Sequence, residues 1–141
     1  MNLPLANNHI SVDCVVFGFD GSDLNALLIQ RKGEHNGYQY EDMKLPGRLI
    51  YQDEDLDAAA ARTLKELAGF RNVRLMQFKT YGSMNRTRDM RDVLWLEKEQ
   101  DARVDRIVTV AYVAFVKIER ALARIDHRTK AVWVKMDQVG S

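Results

Sequence analysis

The segment from Arg48 to Phe70, RLIYQDEDLDAAAARTLKELAGF, constrains the fold more than any other part of the chain. Its second half is written for a helix. Ala58 to Ala61 are strong helix formers. Asp53 or Asp55 can cap the N-terminus, and the acidic first turn suits the positive end of the helix dipole. Gly69 ends it, because glycine enters the left-handed backbone at C′ without a Cβ penalty. Leu56, Ala60, Leu64 and Leu67 recur at i, i+4, i+8 and i+11 as one apolar stripe. Ala58, Arg62 and Glu66 form a separate stripe of i+4 steps. Such a helix has one face for a sheet and another for a cleft.

The flanking sequence supplies the sheet. Residues 1–9 read as a loose tail, and residues 10–141 as one domain. Val12 to Phe19 is a β-branched and aromatic run, followed by the Asp20-Gly21-Ser22 turn and a second strand from Asn25 to Lys32. Residues 33–42 read as a polar loop bearing Tyr38 and Tyr40, and Lys44 to Gly47 as a short extended piece. Asn72 to Gly82 is a further strand. Residues 83–105 are polar and arginine-rich around Val93-Leu94-Trp95-Leu96, a short helix or strand. Their mixture of Arg86, Arg88, Arg91, Arg103 and Arg106 with Asp89, Asp92, Glu97, Glu99, Asp101 and Asp105 favours a solvated flap over a phosphate-binding stripe. Ile107 to Ile118 is the strongest strand, its nearly continuous apolar character implying burial on both faces. Glu119 to Asp126 reads as a helical or turn segment, and Ala131 to Val134 as the last strand. The order implies an α+β domain, a mixed sheet with helices packed against it.

With a net charge of +1 there is no global electrostatic case for nucleic acid, and none against a small anionic ligand. One cysteine, Cys14, excludes an internal disulfide and fits a reducing compartment; its apolar surroundings point to a buried thiol. The N-terminus lacks a signal peptide's basic region, and no apolar run approaches the ~20 residues of a membrane span, so a cytoplasmic protein is expected. His9, His35 and His127 lack metal-ligand spacing, and nothing suggests nucleophilic catalysis.

Residues 48–70 also resemble the Nudix box, G-x5-E-x7-R-E-U-x-E-E-x-G-U with U aliphatic, and align with it without a gap. Glu54, Arg62, Leu64, Glu66, Gly69 and Phe70 match; Arg48 replaces the opening Gly, and Thr63 and Leu67 replace two carboxylates. The resemblance implies a Nudix α/β/α sandwich with a mixed central sheet. It implies a structural Glu54–Arg62 salt bridge and a metal site reduced to Glu66, a weak candidate. Hydrolysis of a diphosphate needs divalent metal between carboxylates and phosphate oxygens, and an activated water. With Glu66 and Glu54 the residual candidates for catalysis, binding without efficient hydrolysis is expected. No cofactor is required, although Mg²⁺ remains an option for residual activity. Arg48 is either a surface arginine or a guanidinium that takes over the metal's charge and grips the diphosphate.

The likeness extends from about residue 10 to 136 through LLIQRKG, KLPGRLI and DRIVTVAYVAF, residues 105–115, and is to the Nudix-related transcriptional regulators of NAD metabolism. It implies a sensor of ADP-ribose or a related NAD-derived nucleotide, a homodimer, and a repressor that meets DNA through a C-terminal winged helix. The ending AVWVKMDQVGS resembles the last strand of the domain and the segment just after it, so the chain reads as a fragment lacking the closing helix and the winged helix. Candidate ligand-binding residues are Arg31, Lys44, Arg48, Arg62, Glu66 and Tyr81, with Tyr38 and Tyr40 either stacking surfaces or packing residues. The alternatives are an active Mg-dependent pyrophosphatase, drawing a further carboxylate from Glu97 or Glu99, and a sensor of sugars or sugar phosphates.

Overall fold

The computed structural model describes residues 4–83, 90–101, 106–118 and 125–139. Its centre is a pair of long strands, β1 (Ala6–Phe19) and β6 (Val108–Lys117), which run parallel from Ile10 opposite Val108 to Phe19 opposite Lys117. Strands β2 (Leu24–His35), β3 (Tyr38–Lys44), β4 (Gly47–Tyr51), β5 (Met76–Tyr81) and β7 (Ala131–Lys135) add to them antiparallel. The order is β3-β2-β1-β6-β5, with β4 also paired to β1 and β7 to β2. One parallel pair among antiparallel ones makes the mixed sheet expected from the sequence. Helix α1 (Leu56–Ala68) packs on β1 and β4, and helix α2 (Met90–Gln100) on β4. Among the described residues no helix is long and apolar enough to cross a membrane.

Alternation of side chains along β1 and β6 decides where the core lies. Val12, Cys14 and Val16 share the α1 face with Val110, Tyr112 and Ala114, and all six are buried. Small residues on α1 bring the helix close. Ala59 and Ala60 are fully buried, and the Ala60 carbonyl lies 3.6 Å from the Cys14 thiol that donates to it. Leu64 and Phe70, each 1% exposed, fill the space beneath; burying such side chains stabilises the fold by roughly 1.5–3 kcal/mol apiece. Gly69 closes the helix at φ 77°, its N–H donating to the Lys65 carbonyl.

Three expectations change, and one left open between helix and strand is decided. The strand begins at Ala6, inside the stretch read as a tail, because the Asn7 side chain accepts from the His9 and Ile10 N–H groups and Gln52 N–H bonds to the Leu5 carbonyl. Residues 33–42 are a hairpin, β2 turning into β3 at Asn36 (φ 50°) and Gly37 (φ 81°), the left-handed pair that suits strand twist. The apolar centre of the flap is the helix α2. Strand β6 is buried along one face; the other is buried at Thr109 and Ala111 but opens at Phe115, which is 69% exposed and stacks on Phe17 at 5.3 Å. Arg86, Arg88, Asp89, Arg103, Asp105 and residues 119–124 lie outside the described residues.

Candidate functional site

The loop between β4 and α1 is held by one ion pair. Arg62 Nε donates to Glu54 Oε2 at 2.7 Å and Arg62 Nη2 to Glu54 Oε1 at 3.0 Å, a fork-on-fork pairing. Glu54 Oε1 also accepts the Tyr51 N–H, while Arg62 reaches the Leu49 carbonyl and lies 4.0 Å over the Tyr51 ring. Burial alone raises the Glu54 carboxyl; the hydrogen bonds from Arg62 and Tyr51 and the Arg62 charge outweigh it and hold the group below the usual carboxylate range. Burial likewise opposes the Arg62 charge, and Glu54 and Glu66 more than restore it. Both side chains are thereby committed to shape.

Beside this lock is a cavity of about 250 Å³, walled by β2, β4, α1, α2 and the turn before β7. Arg48 enters it from β4, its side chain only 12% exposed, 3.5 Å from Glu66 on α1 and 3.5 Å from Glu99 on α2. Arg48 Nε is buried and makes no hydrogen bond among the described residues, since 3.5 Å and its geometry with Glu66 give only an ion pair. Glu66 Oε1 already accepts from Arg62 Nη1 at 2.9 Å. Arg31 enters from β2, 4% exposed and paired through Nε and Nη2 with Asp42 on β3. Trp95 on α2 forms an apolar wall, with the Lys44 ammonium 4.3 Å and the Arg48 guanidinium 5.7 Å from its ring. The Gln100 amide fixes α2 to β4 by bonding both the N–H (2.6 Å) and the carbonyl (2.8 Å) of Leu49.

Of the residues singled out in the sequence, Arg31, Arg48 and Glu66 meet in this cavity, and Lys44 reaches its Trp95 wall. Arg62 and Glu54 stand behind it as the lock. Tyr81 is elsewhere: it lies on the edge strand β5, opposite Thr109, beneath the Lys79 ammonium at 5.0 Å. Tyr38 is 63% exposed on β3, and Tyr40 is buried against Gly33. Sequence reading missed Trp95 and Lys98 on α2, and Arg128, Thr129 and Lys130 in the turn before β7. That turn reaches the cavity because Asp126 N–H bonds to the Ala68 carbonyl at the end of α1 and Gln30 N–H to the Lys130 carbonyl.

The NUDIX domain model matches residues 7–141. The chain belongs to the NUDIX family. It is 32% identical over 131 residues to the ADPR responsive transcriptional repressor NtrR of Acinetobacter baylyi, covering 92% of this chain and 45% of that protein. The chain thus spans less than half the length of this curated relative. The NUDIX domain of Shewanella oneidensis NrtR, solved as a complex with ADP ribose, superposes with a TM-score of 0.64 at 24% identity, over 94% of this chain and 76% of that one. Shewanella oneidensis NrtR in complex with a 27mer DNA superposes at 0.62 and 26% identity, over 89% and 50%.

In a NUDIX domain the helix of the box ordinarily presents carboxylates to Mg²⁺, and the residues here fit that group poorly. Thr63 is fully buried, its hydroxyl donating back to the Ala59 carbonyl at 2.8 Å. Leu67 offers the cavity only an apolar wall. Glu66, the remaining box carboxylate of the helix, lies between two guanidinium groups, whose positive charge opposes a cation. Among the described residues no group of three His, Cys, Asp or Glu side chains has the arrangement of a metal site. Cys14 is chemically quiet: burial, with the neighbouring Asp13 charge, pushes its thiol up to about 12.

Proposed function

We propose that this chain is the ligand-sensing Nudix domain of a transcriptional repressor of NAD metabolism, and that it binds ADP-ribose without efficient hydrolysis and without a required metal. The observation that carries the reading is Arg48. It stands where the box has its opening glycine and brings a buried guanidinium into the cavity beside Glu66, the one box carboxylate left on the helix, with Nε making no hydrogen bond among the described residues. A buried donor without an acceptor is costly, and a phosphate oxygen removes that cost while replacing the attraction a metal would supply. Arg31 and Glu66 complete the polar lining, Lys44 holds the Trp95 wall, and Trp95 offers an apolar surface to the rest of the ligand. The relatives' ADP-ribose and DNA complexes support the same assignment.

Repression would be relieved by linkage: ADP-ribose favours the arrangement of a homodimer that does not hold DNA, and the DNA is met by a further domain of the full protein. A cytoplasmic location fits the single buried thiol. Isothermal titration of ADP-ribose with and without Mg²⁺, followed by analysis for AMP, tests the reading. Metal-independent binding with the ligand recovered intact is expected; binding that requires Mg²⁺, or turnover to AMP, sinks it.

One observation favours the second reading, a hydrolase. Glu99 reaches the cavity from α2 and shares Arg48 with Glu66, so two carboxylates do converge there. The same titration decides, because that enzyme would release AMP and ribose phosphate once Mg²⁺ is added.

A further inference from the structure

The charges around the cavity do not cancel. Arg31 is paired with Asp42, Arg128 with Asp126, and Lys32 more loosely with Glu41 at 3.8 Å. Glu66 and Glu99 are both drawn to Arg48, and Glu66 also to Arg62. Two further cations line the same space, Lys98 from α2 and Lys130 from the turn before β7, and neither has an ion-pair partner among the described residues. They come from separately anchored elements: α2 is bound to β4 through Gln100, and the turn to β2 through Gln30 N–H. Two uncompensated positive charges beside a buried guanidinium donor are what a dianion needs. A neutral sugar would leave both lysines unmatched, and the low-dielectric walls strengthen the difference.

We propose that Lys98 and Lys130 form a second anion-binding point at the rim, so that a diphosphate diester is held between them and Arg48 on the floor. The ligand then bridges α2 and the β7 turn. This rests on the ADP-ribose reading and adds to it the residues that select a dianion. ADP-ribose is titrated calorimetrically at low and at raised salt into the wild type, Lys98→Gln, Lys130→Gln, the double variant, and Lys65→Gln as an exposed lysine outside the cavity. Each cavity variant is expected to weaken binding about three- to tenfold, the double variant by roughly the product, with a shallower salt dependence. Lys65→Gln should bind like the wild type, and all variants should keep the wild-type circular dichroism. Wild-type affinity and salt dependence in the double variant would overturn the second anion point while leaving the ADP-ribose reading intact. A wild type that binds no ADP-ribose would overturn both.

Discussion

Arg48 is the residue on which the proposed metal-free binding turns, because its charge is buried in a cavity with carboxylate oxygens no nearer than 3.5 Å. A charge-assisted hydrogen bond to phosphate contributes about 1.5–3 kcal/mol. Arg48→Ala should therefore weaken ADP-ribose binding by roughly ten- to a hundredfold in a calorimetric titration, and unchanged affinity would remove the residue from the site. Glu54 belongs to stability. Its carboxyl is held below its ordinary value in the folded chain, so the contribution is full above the unfolded value, roughly 4.3, and is lost as pH falls through the lower folded value. Glu54→Gln should cost about 1–3 kcal/mol at neutral pH by urea denaturation. The gap from the wild type should close in acid. A gap that persisted unchanged at low pH would mean that the Glu54 charge is not its source.

Helix α2 depends on side chains where α1 depends on its own sequence. Gln100 bonds both polar groups of the Leu49 peptide, as a neighbouring strand would, and Glu99 adds the ion pair to Arg48. Gln100→Ala should speed amide exchange in α2 about tenfold, from the loss of about 1–2 kcal/mol of local stability, and leave α1 unchanged. Equal protection of α2 in the variant would show that Trp95 and Leu96 packing and the Glu99 ion pair hold it without Gln100. The contrast explains what could be read from the chain. The limits of α1 were legible because apolar period and terminal glycine are local signals; Asp55 stands at the N-cap position but makes no side-chain cap hydrogen bond. The hairpin at Asn36-Gly37 carried an equally local signal, obscured by the polar residues around it. The cavity was only half legible. Arg48 and Glu66 lie in a recognisable box, whereas Trp95, Lys98, Arg128 and Lys130 arrive through contacts far apart in sequence, which no spacing reports. The burial of β6 was overread at its Phe115 end, because an apolar run does not say how far a second layer covers it.

At the scale of the molecule, the sheet face turned away from α1 is open at one end: Phe115 is 69% exposed, Met76 52% and Phe19 47%. Exposed apolar patches of this kind mark contact surfaces. If the proposed homodimer forms through this face, Phe115→Ser should shift sedimentation from dimer toward monomer, and an unchanged dimer would place the contact elsewhere. The cavity, by contrast, exists only when five elements are assembled, so an unfolded chain cannot reproduce it. Any true ligand must therefore raise the melting temperature by mass action. At a hundred times its dissociation constant the gain is about 2.7 kcal/mol. For a domain of this size that corresponds to a rise of roughly 8–13 °C. ADP-ribose should produce this rise, and arabinose and xylose should not, since neither carries a charge for Arg48. The reverse pattern would reassign the cavity to sugars, keeping the fold and overturning the reading of Arg48 as a phosphate donor.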